Sequence, residues 1–155
     1  MSRVQLALNV DDVDEAVVFY SKLFGAQPAK RRPGYANFAL DDPALKLVLL
    51  ENAGHGGSLN HLGVEVASTE EVTAATRRLD AHGLGTDVEN ETTCCYAVQD
   101  KVWVTGPGGE RWEVYTVLAD ARPDLEGEQS AEAGAGGTCS CATSQEADGA
   151  VTACC

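Results

Sequence analysis

Basic residues are scarce in this 155-residue chain: 11 Lys and Arg stand against 24 Asp and Glu, a formal net charge of −13. Such a field repels phosphate backbones and anionic lipid, which argues against nucleic acid or a membrane surface as partner. The one short basic run, Lys30-Arg31-Arg32, does not offset it. No stretch approaches the ~18 consecutive apolar residues of a membrane helix. The first residues, MSRVQLALNV, pass directly into a strand-like run with no charged leader, apolar segment or cleavage site. The expectation is a soluble, cytoplasmic protein.

Large aliphatics are nearly missing from the last stretch. Residues 121–155 hold Leu125 and Val151 among Gly, Ala, Ser and acids. Such a segment cannot bury enough surface to offset its ordering entropy. The division predicted is one folded domain over 1–119 and a disordered, acidic, Cys-bearing tail over 120–155. Charge follows the same split, with 17 acids and 10 bases in the body and 7 and 1 in the tail.

Cysteine is present in an unusual arrangement: Cys94-Cys95 in mid-chain, then Cys139, Cys141, Cys154 and Cys155 in the tail. Adjacent residues, with Cα atoms about 3.8 Å apart, fall short of the ~4.4–6.8 Å of an ordinary disulfide. Two adjacent thiols can instead reach one soft, thiophilic centre. The alternative reading is a pair of small buried apolar residues. In a reducing compartment the six cysteines read as ligands or nucleophiles before disulfides.

A weak internal repeat organises the body. QLALNVDDVDEAVVFYSKLFG (5–25) aligns with HLGVEVASTEEVTAATRRLDAHG (61–83) at an offset of 56, pairing Leu6 with Leu62 and Val10 with Val66. Each copy reads as strand, capping residue (Asp11 or Asp12; Ser68 or Thr69) and helix, and each helix ends near a glycine. Three short strands follow each helix, at about 27–31, 35–40 and 45–51, then 86–90, 96–104 and 111–118. Two βαβββ units predict an α+β fold of two curved half-sheets across a shared cleft, helices outside.

Strand alternation then selects a site. If Leu6, Leu8 and Val10 pack under the first helix, Gln5, Ala7 and Asn9 face the cleft. By the same parity His61, Gly63 and Glu65 face it from the fifth strand, and Glu113 and Tyr115 from the eighth. Gln5, His61 and Glu113 therefore converge, and Gln5 and His61 are equivalent in the repeat. The first-half counterpart of Glu113 is Val48, which cannot bind a metal. One imidazole, one carboxylate and one amide oxygen suit a divalent first-row metal and leave coordination positions open. His55 and His82 read as surface residues.

These residues resemble the vicinal oxygen chelate superfamily, which includes glyoxalases, extradiol dioxygenases and fosfomycin-resistance proteins. Within it, VQLALNV, FYSKLFG, RPGYANFAL, LKLVLLE, NHLGVEV and above all TCCYAVQDKVWVTGPGGERWEVY are similar to the cadmium-induced and organoarsenical carbon–arsenic lyase family, over about residues 1–119. The resemblance implies a non-haem Fe(II), O₂-dependent enzyme. Its reaction would cleave the C–As bond of trivalent organoarsenicals such as methylarsenite and reduced aromatic arsenicals, giving arsenite. It implies Gln5, His61 and Glu113 as metal ligands and Cys94 and Cys95 as the arsenic-binding pair. Val48 departs from the four-ligand glyoxalase pattern.

Adjacent strand residues point to opposite faces, so Cys94 and Cys95 share one arsenic only where the chain leaves regular strand geometry. Residues 90–101 are accordingly expected to be a loop that closes over the cleft, with Tyr96, Gln99, Asp100 and Lys101 as candidate lining residues. Two other readings compete: a non-catalytic cadmium- or arsenic-binding resistance protein, and a thiol transferase acting on a phosphonate, which would need a cationic pocket. The partners expected are a small-molecule arsenical and O₂, with the chain a monomer or homodimer.

Overall fold

The computed structural model describes residues 2–94 and 96–121. Cys95 and the tail cysteines Cys139, Cys141, Cys154 and Cys155 lie outside the described residues, as does nearly all of the segment read as tail.

The chain runs β1 (Arg3–Val10), α1 (Val13–Phe24), β2 (Lys30–Arg32), β3 (Tyr35–Leu40), β4 (Leu45–Glu51), β5 (Leu59–Glu65), α2 (Thr69–Ala81), β6 (Thr86–Cys94), β7 (Ala97–Thr105) and β8 (Arg111–Asp120). This is βαβββ twice, as the repeat predicts. The caps resolve to Asp12 and Ser68. Asp12 accepts from the amides of Asp14 and Glu15, and Ser68 from Glu71, satisfying donors that a first helical turn leaves unpaired. Glu51 adds a further partner at α1 by accepting from the Val13 amide. Gly25 closes α1 in the left-handed region, at φ 63°.

All eight strands form one sheet, in the order β2-β3-β4-β1-β5-β8-β7-β6. At its centre β1 and β5 are antiparallel, with Gln5 opposite Gly63 and Ala7 opposite His61. On the two sides the parallel pairs repeat the register: Ala7 stands opposite Val48, and Gly63 opposite Glu113. Val48 is thus the structural counterpart of Glu113, and it is buried and apolar. The two halves belong to one continuous sheet, which curls until Lys30 on its β2 edge donates to the Tyr96 carbonyl at 2.7 Å and meets the Asp120 carboxylate at the end of β8.

The helices cover the convex face. Val10, Val13, Val17, Ala36, Phe38, Leu47 and Leu49 form a core beneath α1, with Leu6 and Leu8 packed against it. The concave face carries a smaller apolar set, Ala7, Tyr35, Val48 and Leu50, with Tyr96 against it. No helix among the described residues is long and apolar enough to cross a membrane.

The expected loop over 90–101 is corrected. Residues 86–94 and 97–105 are paired strands, and Cys94 stands opposite Ala97. Only two residues, Cys95 and Tyr96, connect them, and Tyr96 has φ 67°. Away from Tyr96 the β6–β7 ladder is interrupted once, by a register shift between Glu89 and Thr92 where Glu91 has φ 50°. Cross-strand hydrogen bonds satisfy the backbone on either side of the tip, so the longer loop is not needed. Strand β8 also runs to Asp120, and the Ala121 amide bonds to the Tyr96 carbonyl, tying the tip to the end of the body.

Candidate metal centre

Three neighbouring strands at the middle of the concave face deliver the three polar side chains that alternation selects. Gln5, His61 and Glu113 are each less than 5 % exposed. Gln5 Nε2 lies 3.0 Å from His61 Nε2 and 2.6 Å from Glu113 Oε1, and His61 Nε2 lies 3.4 Å from the same Oε1. The Gln5 amide N–H groups occupy the point between imidazole and carboxylate where a cation would be held.

The surroundings set each group's state. Asn60 Oδ1 stands 2.7 Å from His61 Nδ1 and accepts its N–H, so the ring is held with Nε2 toward Gln5 and Glu113. Trp103 packs edge-on to the His61 ring at 5.3 Å between centroids and holds its plane. The Tyr115 hydroxyl donates to Gln5 Oε1. Because a hydroxyl donates or accepts, it satisfies either orientation of that amide.

Glu113 is the charged member. Burial pushes its pKa up, but His61 and Lys101 outweigh burial and hold it below the ordinary carboxylate range. Its Oε2 lies 3.2 Å from Lys101 Nζ without a hydrogen bond of good geometry, leaving a buried carboxylate oxygen short of a partner. Lys101 is 1 % exposed. Burial opposes its charge, yet the Glu113 carboxylate, with negative charge on the Cys94 sulfur and on Glu89 adding to it, raises its pKa above the usual lysine value.

Gly63 leaves space for these groups. A Cβ there would stand 3.0 Å from Glu113 Cγ and 3.2 Å from Gln5 Cβ, tighter than real contacts tolerate without movement. The donors enclose a cavity of about 20 Å³ lined also by Tyr35, Lys46, Val48, Cys94, Gln99 and Lys101. Cys94 therefore reaches the same space as the three donors, while Asp100 turns away to bond Thr69 and the Glu91 amide. His55 and His82 are exposed and do not line it.

The donor set fits a metal. No group of three His, Cys, Asp or Glu gathers at one point among the described residues. Here two such residues are completed by an amide, in an O/N combination suited to a first-row divalent ion, with one carboxylate oxygen already lacking a hydrogen bond. Lys101 and Lys46 are the participants that sequence reasoning left out or left unassigned. Carrying the parity argument into β7 identifies the first, since Lys101 stands opposite Tyr115 and Trp103 opposite Glu113.

Residues 3–114 match the family model of the Glyoxalase/Bleomycin resistance protein/Dioxygenase superfamily. The cadmium-induced protein CadI of Mycobacterium tuberculosis is 63 % identical over 150 residues, covering 97 % of this chain and 99 % of that one. A trivalent organoarsenical cleaving enzyme of Thermomonospora curvata is 61 % identical over 132 residues, covering 84 % of this chain and 87 % of that one. The fold is also that of the Mn(II)-bound glyoxalase from Novosphingobium aromaticivorans, with a TM-score of 0.55 at 19 % identity over 78 % of this chain and 42 % of that one. The chain belongs to the glyoxalase/bleomycin resistance protein/dioxygenase superfamily, within the family of the cadmium-induced protein and the trivalent organoarsenical cleaving enzymes.

Proposed function

We propose that this protein is an Fe(II)- and O₂-dependent enzyme that cleaves the carbon–arsenic bond of trivalent organoarsenicals, methylarsenite and reduced aromatic arsenicals among them. Arsenite and an oxidised organic fragment are the products, and detoxification is the outcome. The observation that carries the reading is one cavity lined at once by Gln5, His61, Glu113 and a thiol, Cys94. The name of the Thermomonospora curvata relative supports it.

In this reading Gln5 Oε1, His61 Nε2 and Glu113 would hold the metal, which when bound would supply O₂ activation, the electrons that reduce O₂ coming from the organic group as it is oxidised. Cys94, with Cys95, holds arsenic through sulfur and leaves the organic group free. The Lys101 ammonium beside Cys94 favours the thiolate, the form that binds a soft centre. Asn60 keeps the His61 proton on Nδ1. The buried walls exclude water from the reacting carbon, and the hairpin tip holds that carbon near the ligands, a proximity contribution.

The test is anaerobic reconstitution with Fe(II), addition of methylarsenite, then O₂, with arsenic speciation followed. Arsenite release in many turnovers is expected, and lost turnover in Cys94→Ser and Cys95→Ser. Stoichiometric arsenic binding without arsenite release would instead support the second reading, a cadmium- or arsenic-binding resistance protein. The name of the Mycobacterium tuberculosis relative favours that alternative.

A further inference from the structure

The cavity of about 20 Å³ between the donors has room for one water-sized group. A methyl group on arsenic fits such a space; an aromatic ring does not. Tyr35, Lys46 and Gln99 line this cavity and also a second, much larger cleft of about 430 Å³. A large organic group on an arsenic beside Cys94 would have to pass these three residues to reach the cleft.

The cleft is charged opposite to the chain. In a protein of net charge −13 it is lined by Arg3, Lys30, Arg31, Arg32 and Lys46. Glu65 and Asp120 are its lining carboxylates, and Asp41 and Asp14 just outside it pair with Arg3 and Arg31, so five cations face four acids. Sheet curvature assembles this set: the β2 edge carries Lys30, Arg31 and Arg32 to a wall that already holds Arg3 of β1 and Lys46 of β4.

Two of these cations are short of partners. Lys46, with its side chain 12 % exposed, has Glu65 Oε1 at 3.4 Å, and the same carboxylate also faces Arg3 Nη1 at 4.0 Å. Its ammonium otherwise lies over the Tyr115 ring, 5.0 Å from the centroid. Burial pulls its pKa below the ordinary lysine value in spite of Glu65, the mark of a cation incompletely neutralised. Arg32 donates to the Arg31 carbonyl and pairs with no carboxylate among the described residues.

We propose that this basic cleft receives the distal end of the organic group on arsenic and selects aromatic arsenicals that carry an anionic substituent, a carboxylate or sulfonate. Lys46, at the junction of the two spaces, and Arg32, at the rim, are the selecting residues. The inference rests on the organoarsenical reading above and adds to it the chemistry of the organic half.

The experiment compares three substrates on the Fe(II)-reconstituted full chain: phenylarsenite, 4-carboxyphenylarsenite and 4-(trimethylammonio)phenylarsenite, with arsenite release measured. The carboxylate should be preferred over the neutral ring by about tenfold in kcat/KM, the size of one charge-assisted hydrogen bond, and mainly through KM. The cationic ring should be the poorest substrate, and the preference should shrink as ionic strength rises. Lys46→Met should bring the carboxylate-to-neutral ratio close to one. Arg32→Gln, at an exposed position that leaves the core alone, should lower the ratio partway. Equal kcat/KM for charged and neutral rings, or a ratio unchanged in both variants, would overturn the proposal while leaving C–As cleavage standing. Release from none of the three while methylarsenite is still cleaved would overturn this inference alone; no release from methylarsenite either would remove the arsenical reading with it.

Discussion

Gly63 stands directly opposite Glu113 in the parallel β5–β8 register, and the missing side chain at 63 is what lets Glu113 and Gln5 meet. Gly63→Ala should displace one of them by a few tenths of an ångström while the sheet survives, since β5 keeps its register at other positions. Such a shift matters at a metal site, because ligand geometry and support are worth roughly 10–100-fold in affinity. Anaerobic titration with Fe(II) or Mn(II) should show that loss with an unchanged circular dichroism spectrum. Wild-type affinity in this variant would mean that Gln5 and Glu113 do not act together.

Asn60 is the sole support of His61 at Nδ1 among the described hydrogen bonds. Asn60→Ala frees the imidazole to take its other tautomer, placing the proton on Nε2 where the lone pair is needed. Metal affinity should fall by about tenfold. The ¹⁵N shifts of the His61 ring should report the tautomer change, a readout that a purely structural role would not move.

Lys101 and Glu113 are a buried pair, and neither is expected to tolerate loss of the other. Lys101→Met and Glu113→Gln should each destabilise the metal-free protein by about 3–5 kcal/mol, because each leaves a buried charge uncompensated. The double variant should cost clearly less than the sum of the two. Urea denaturation of the four proteins measures this coupling. Additive losses would show that Lys101 answers another group.

Acidification should weaken the metal-free fold through Glu113. Its pKa is held below the ordinary carboxylate range by His61 and Lys101 against the opposing effect of burial. The unfolded chain therefore takes up the proton at higher pH than the folded one. The stability Glu113 contributes is complete above about pH 5 and is lost as the pH falls through the folded-state value. Unfolding midpoints of the wild type should drop over this acid range, and Glu113→Gln should flatten the slope. Parallel slopes for the two proteins would count against the assignment.

Much of this molecule is legible from local pattern. A side-chain period of two placed Gln5, His61 and Glu113 on one face, and the 56-residue repeat named Val48 as the fourth, empty position. The register bears this out, since Ala7–Val48 and Gly63–Glu113 are the same pairing in two copies. The hairpin was misjudged for a related reason. Two adjacent cysteines ask for irregular backbone, but pattern alone does not say that a two-residue tip is enough, because cross-strand hydrogen bonds continue on both sides of it.

The sequence by itself determined the faces of β1, β5 and β8, the two pairs of capping candidates, the convergence of Gln5, His61 and Glu113 on one face and the family, because each is written in spacings of two to four residues or in contiguous motifs. Only the tertiary structure decided what surrounds the donors. Lys101 reaches Glu113 because β7 lies beside β8, and Lys46 stands between two cavities because β4 lies beside β1. In the chain, Lys30-Arg31-Arg32 is only a short basic run in an acidic protein. It becomes one wall of a basic cleft because a curled eight-stranded sheet returns its edge toward Tyr96 and Asp120. Curvature and strand order are sums of many non-local pairings, and no short window of residues contains them.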